Sequence, residues 1–158
     1  MRRLLLLAVA LLAFAGAQAQ SKGDNAVGLN LVLGTGDLDN VGLGFKYQYN
    51  ITAPIRIEPT FTYFFKKNYT TAWDLMANFH YVIPLADRFD IYPLAGVGLQ
   101  STDVDSPFFD FSSTDFQFNI GCGAEYWFNY NWAGVFEFKY KLSNYDFANF
   151  NFGVAYRF

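Results

Sequence analysis

Eight charged residues of this chain stand at positions with apolar neighbours on both sides. Phe45 and Tyr47 flank Lys46, Ile55 and Ile57 flank Arg56, and Ile57 and Pro59 flank Glu58. Ala124 and Tyr126 enclose Glu125, and Tyr156 and Phe158 enclose Arg157. Glu137, Lys139 and Lys141 alternate with Phe136, Phe138, Tyr140 and Leu142. Successive side chains of a strand point to opposite faces, so this spacing puts all of these charges on one face of extended chain. Gathered in one interior, they could line a passage, select ions or gate it. They could also pair with one another to satisfy a filled polar interior, since an unpartnered buried charge is costly. The second outcome is expected, because the enclosure argued below is only wide enough for side chains to fill.

Other chemistry is sparse. His80 is the single histidine. A general base needs a hydroxyl nucleophile or an orienting carboxylate within hydrogen-bond reach. Its same-face neighbours along the chain, Asn78 and Val82, offer neither, so a structural, inward histidine is expected and no catalytic residue is assigned. Asp103, Asp105 and Asp110 could ligate calcium, but they lack an EF-hand pattern and have no glycine among them. A solvated loop is the expected role, with no metal and no cofactor. Phe108, Phe109 and Phe111 in the same stretch could dock an external partner or pack over the mouth of the enclosure. The lone Cys122 has no internal disulfide partner and reads as a small apolar residue on a strand.

The elements that must position these groups are strands. Residues 148–158 alternate bulky apolar with small or polar side chains: Phe150, Phe152, Val154, Tyr156 and Phe158 against Asn149, Asn151, Gly153, Ala155 and Arg157. That length is about the 9–11 residues a tilted strand needs to cross a bilayer. The same alternation predicts strands near 26–34, 41–49, 55–65, 73–81, 89–99, 115–128 and 136–142, eight in all with the last. Pro59 and Pro93 fall inside two of them and remove a ladder donor, so a bulge at either would shift the faces beyond it. Polar loops are expected at 34–40, 66–70, 100–113 and 143–147, the third being the longest. Short turns are expected at 50–54, 84–88 and 129–132. Long and short connections thus alternate, as in an up-and-down barrel with both termini on the short-turn side.

The first 19 residues read as a cleaved signal peptide. Arg2 and Arg3 precede the apolar run Leu4–Phe14, and Ala17-Gln18-Ala19 forms an A-x-A cleavage site. Residues 20–25 are a short polar leader, and 26–158 form one domain. Removing Arg2 and Arg3 from the 11 basic residues leaves 9 against 14 acidic ones, a formal charge near −5 that argues against nucleic acid as a partner. Aromatic residues make up 21% of the chain, yet its mean hydropathy is close to zero. Alternating membrane strands produce that combination, because half of each strand is polar.

Volume decides which face points outward. The apolar set holds over a dozen Phe, Tyr and Trp side chains. The interior of an eight-stranded barrel, just wide enough for side chains, cannot hold so many. They therefore face lipid, and the barrel must close, since no strand edge can be left unpaired in hydrocarbon. Tyr47, Tyr49, Tyr63, Trp73, Tyr81, Tyr126 and Tyr140 lie toward strand ends, where interfacial aromatic girdles belong.

With these strands and the ending Tyr156-Arg157-Phe158, the chain resembles the small eight-stranded outer-membrane β-barrels of OmpA/OmpX type, the porin-family barrels of Gram-negative envelopes. The resemblance covers about residues 26–158 and implies an all-β, antiparallel up-and-down transmembrane barrel in the bacterial outer membrane. It also implies that Tyr156 and Phe158 are read by the barrel assembly machinery as a C-terminal signal. The partners expected are outer-membrane lipids, that machinery and a possible extracellular partner at residues 100–113. No periplasmic domain is expected after the last strand. The first functional expectation is a structural or interaction barrel, not an enzyme, with the charges of Lys46, Arg56, Glu58, Glu125, Glu137, Lys139, Lys141 and Arg157 filling the lumen. A narrow passive pore for small solutes or ions is the second, and an envelope lipid-modifying enzyme is a remote third.

Overall fold

A computed structural model of the chain describes residues 22–36, 40–67, 69–106, 108–142 and 147–158. The expected signal peptide lies outside these residues. The strands are β1 (Asn25–Gly36), β2 (Val41–Asn50), β3 (Ile55–Lys67), β4 (Thr70–Tyr81), β5 (Ile83–Ala86), β6 (Phe89–Ser106), β7 (Phe109–Trp127), β8 (Trp132–Leu142) and β9 (Phe147–Arg157). They form one sheet in the order β4-β3-β2-β1-β9-β8-β7-β6-β5, and a further β4–β6 pairing closes it. Every pairing is antiparallel. Eight strands make the wall, and four-residue β5 is a short ribbon on β6. Closure leaves no edge in the belt that meets lipid, which a bilayer demands.

The first and last strands meet directly, from Ala26↔Arg157 to Gly36↔Phe147. Backbone bonds finish the end at which the described residues begin and end. Gly23 donates to the carbonyl of Asn50, Val82 to Pro54, Arg157 to Asn131 and Phe158 to Asn25. Both prolines are absorbed without a bulge. Pro59 stands opposite Ala77 and Pro93 opposite Cys122, each in unbroken register. The β2–β3 ladder lapses between Lys46↔Thr60 and Tyr49↔Ile57, where Pro59 has no N–H to give, then resumes in the same register. The faces expected from the sequence therefore hold on both sides of each proline.

One expected loop is mostly strand. β6 and β7 pair continuously from Phe89↔Tyr126 to Ser106↔Phe109, so nearly all of 100–113 belongs to a long hairpin. With 18 and 19 residues, the two strands are close to twice as long as a crossing needs. The hairpin continues past the apolar belt on the side away from the termini. Its Ser, Thr and Asp content reflects solvent on both faces and not irregular backbone. At its tip Phe108 is 92% exposed, and Phe111 also reaches solvent. Lys66 of β3 holds Asp105 at 3.1 Å.

Burial follows parity along the wall. On β2 the even positions 42–50 are buried and the odd positions 41–49 exposed. The odd set carries Val41, Leu43, Phe45, Tyr47 and Tyr49, all turned outward. Tyr49, Tyr81, Tyr126 and Tyr156 gather near the terminus end, and Tyr47 donates a hydrogen bond to Asn25 there. Tyr63, opposite Trp73, and Tyr140 lie toward the other end. Along the β8–β9 seam the outer face is an aromatic ladder, with Trp132–Tyr156 and Phe136–Phe152 at 5.0 Å and Phe138–Phe150 at 5.2 Å between centroids.

Candidate functional site

The interior is polar because the inward positions are. At its terminus end Arg157 lies over Trp127, its guanidinium carbon 3.8 Å from the ring centroid, with Asp24 at 3.7 Å. Trp127 in turn donates its Nε1–H to Asp90 at 3.1 Å. This stack floors the barrel.

Above it lies a connected charged layer. Arg56 grips Glu125 through both terminal nitrogens and Asn50 through Nε. Gln48 donates to Glu58 at 2.9 Å and to Glu125 at 3.3 Å, joining the two carboxylates. Lys46 reaches Glu137 at 2.9 Å and Glu58 at 3.5 Å, while Lys139 reaches Glu137 at 2.9 Å and Glu58 at 3.7 Å. Tyr92 and Asn151 also donate to Glu137, which therefore takes four donors, about as many as a carboxylate accepts. Each of these charges is buried, and each has an opposite partner. Low dielectric strengthens such pairs and makes any unpaired member expensive.

Glycine makes room for this packing. A Cβ at Gly123 would lie 2.4 Å from the ring of Tyr92, and one at Gly96 only 2.3 Å from Asn78 Oδ1. Glycine at these two positions lets the Tyr92 hydroxyl reach Glu137 over β7 and the Asn78 amide reach Asn119 over β6.

Of the expected lumenal charges, Lys46, Arg56, Glu58, Glu125, Glu137 and Lys139 come together here. Lys141 sits apart, paired with Asp74 and enclosed between the rings of Phe64 at 5.5 Å and Phe147 at 5.1 Å. With Val32 and Ala72 beside Phe64, this makes an apolar and cationic seal toward the hairpin end. Arg157 is apart at the floor. Sequence reasoning left Asp74 out of the network although its parity was visible. It also left Phe64 and Trp127 unassigned and placed Phe147 in the expected loop at 143–147, whereas Phe147 opens β9. Tyr63-Phe64-Phe65 and Tyr126-Trp127-Phe128 are unbroken aromatic runs in which alternation gives no signal.

His80 corrects a second expectation. A carboxylate is near it after all: Glu58 Oε1 lies 3.7 Å from Nε2, brought by the neighbouring strand through the Arg56↔His80 register. Chain neighbours alone could not reveal it. The imidazole stacks on Tyr92 with centroids 4.5 Å apart and rings nearly parallel, and neither nitrogen has a hydrogen-bond partner. Glu58, His80 and Glu137 bring their ligand atoms within 4.8 Å of one another, the span of a metal site. However, Lys46 and Lys139 already neutralise the two carboxylates, and donors occupy the Glu137 oxygens. The cluster is an ion-pair network.

Similarity to known proteins matches this architecture. The family described as "Outer membrane protein beta-barrel domain" matches residues 4–158. No curated protein sequence matches. Among solved structures, the N-terminal β-barrel domain of Pseudomonas aeruginosa OprF is similar at 18% identity, covering 86% of this chain and 99% of that one, with TM-score 0.68. Neisserial surface protein A is similar at 16% identity, with coverage of 87% and 98% and TM-score 0.71. Ail, the attachment invasion locus protein of Yersinia pestis, is similar at 16% identity, with coverage of 87% and 99% and TM-score 0.60. A closed eight-stranded wall, a lipid-facing aromatic exterior and a match over nearly the whole length converge: the chain belongs to the outer membrane protein beta-barrel domain family.

Proposed function

We propose that this protein is a closed outer-membrane barrel with a structural or interaction role and no catalytic one. The observation that carries this reading is the charged layer around Glu137, in which every charge is paired across the lumen. The Lys141–Phe64–Phe147 seal stands in series with it. An ion crossing the barrel would have to break both. Single-channel recording of the purified protein in planar bilayers is expected to show no stable open level. A steady conductance with ion selectivity altered by Glu58→Ala or Lys139→Ala would establish the pore instead.

That second reading has one observation in its favour. Two small spaces of about 10 Å³ each, room for about one water, lie on the two sides of the charged layer, the first reaching Lys139 and the second Arg56. The ion pairs, with Gln48 and the stacked His80 and Tyr92 packed among them, separate the two.

An interaction role would use the β6–β7 hairpin, which lifts Phe108 and Phe111 clear of the barrel for an extracellular partner. Assembly would use β9, the closing strand, whose Tyr156 faces outward against Trp132, and the exposed Phe158 that follows it. If the assembly machinery reads this strand, removing Phe158 leaves unassembled or degraded protein, checked by heat-modifiable mobility in cold SDS. Normal insertion without Phe158 would count against that role.

A further inference from the structure

The β6–β7 hairpin is covered along one edge and open along the other. β4 pairs with β6 as far as Thr70↔Val104, and Asp105 donates its N–H to the carbonyl of Tyr69. On the other side β8 ends at Leu142, opposite Phe118, while β7 runs on to Phe109. Only four residues join Leu142 to Phe147, and β8 and β9 are already paired through Lys141↔Phe147. Leaving residues 115–117 to that connection, residues 109–114 have β6 on one side and, among the described residues, no strand on the other. Half of the N–H and C=O groups of such a stretch point away from the neighbour it has, a template for one more strand.

Natural edges are blunted by proline, lysine or a bulge. Residues 109–114 contain neither proline nor lysine, and their register to β6 is unbroken. Charge sets what this edge can accept. No Lys or Arg occurs between Arg88 and Lys139. Past the apolar belt the hairpin carries Asp103, Asp105 and Asp110, with Asp105 and Asp110 opposite each other and both exposed. Lys66 of β3 answers Asp105. A second copy paired edge to edge would set one acidic hairpin beside another, and like charges across a pairing are destabilising. A cationic strand meets the opposite situation. Asp110, Ser112 and Thr114 continue the outward column of Phe116, while Phe111, opposite Val104, continues the inward column of Gln117. An added strand would therefore meet a carboxylate on one face and the exposed ring of Phe111 on the other.

We propose that the open edge of β7, residues 109–114, takes up an extended cationic segment of another protein as an additional strand. In that segment Lys or Arg alternates with small apolar side chains, the first facing Asp110 and the second Phe111. Main-chain bonds supply the attachment and alternate side chains the selection. The inference rests on the interaction role proposed for the hairpin and names the edge used and the chemistry of the partner.

The test uses the whole protein in lipid nanodiscs, with a short capped peptide alternating Lys with Val or Thr as the probe. Hydrogen exchange of the backbone amides, followed by NMR, is the readout. At saturation every second amide within 109–114 is expected to exchange about 10-fold or more slowly, while those bonded to β6 stay unchanged. Asp110→Asn should weaken binding by about 3-fold. Two control peptides keep the result independent of how that variant folds: one with Glu in place of Lys, the other N-methylated at every residue. Both are expected to leave the exchange unaltered. An equal response to the Glu peptide would overturn the proposal, as would equal binding of the methylated one, which keeps the charge but cannot pair as a strand. Protection of the same amides without peptide, rising with protein concentration in detergent, would overturn it in favour of a second copy. Absence of edge protection in a barrel that is silent in planar bilayers overturns this proposal and leaves the closed barrel standing.

Discussion

Glu137→Leu is expected to destabilise the inserted barrel by about 3–5 kcal/mol, the cost of leaving buried charge uncompensated. Glu137 is the only carboxylate within 3 Å of both Lys46 and Lys139 in the described ion pairs. Removing it leaves two ammonium groups to share Glu58, which lies 3.5 Å and 3.7 Å from them. It also strands the Tyr92 hydroxyl and the Asn151 amide. Pairing the change with Lys139→Met removes one of the orphaned charges, so the double variant should recover part of the loss. Such coupling between contacting residues is what a double-mutant cycle isolates. Reversible urea unfolding in lipid vesicles measures both quantities. A loss below about 1 kcal/mol, typical of exposed pairs, would mean that water reaches the lysines. That result would also turn the closed-lumen proposal into the pore.

What was legible in the sequence was parity, and parity carries far in a barrel. Lys46 between Phe45 and Tyr47, or Glu137 between Phe136 and Phe138, declares its face without any knowledge of partners. What was not legible depends on register. His80 and Glu58 are 22 positions apart, and only the β3–β4 pairing brings them within reach. The split of the expected charges into a central network, a Lys141–Asp74 pair and an Arg157 stack has the same origin. Phe64 and Trp127 were hidden by aromatic neighbours on both sides, so that no residue type marked the inward position. The hairpin at 100–113 failed for a different reason. Polar strands in water lack the apolar alternation by which strands are recognised, and only the pairing partner reveals them.

Phe136→Arg is expected to destabilise the inserted barrel by about 2–4 kcal/mol, while Glu137→Gln, one residue along, leaves its lipid contact unchanged. Phe136 lies on the outer face of β8 midway between Trp132 and Tyr140, the aromatic side chains nearest the two ends of that strand's outer face. An arginine there sits near the bilayer midplane, where its charge has no water and no partner. The same substitution at Trp132, at the strand end, should cost about 0–1 kcal/mol on the depth dependence alone, plus whatever the Tyr156 contact contributes. The asymmetry extends to β7, where Gln117 is buried in the lumen and Phe118 faces out opposite Leu142. Spin labels at 117, 118, 136 and 137 read it directly: labels at 118 and 136 should be accessible to oxygen dissolved in lipid, and those at 117 and 137 protected. Because a one-residue slip in register exchanges the faces of a strand, no intermediate outcome is open to a given pair. Lipid access at 117 and 137 would turn Glu137, Lys139 and Lys141 toward hydrocarbon. The charged layer would then have no residues to build it.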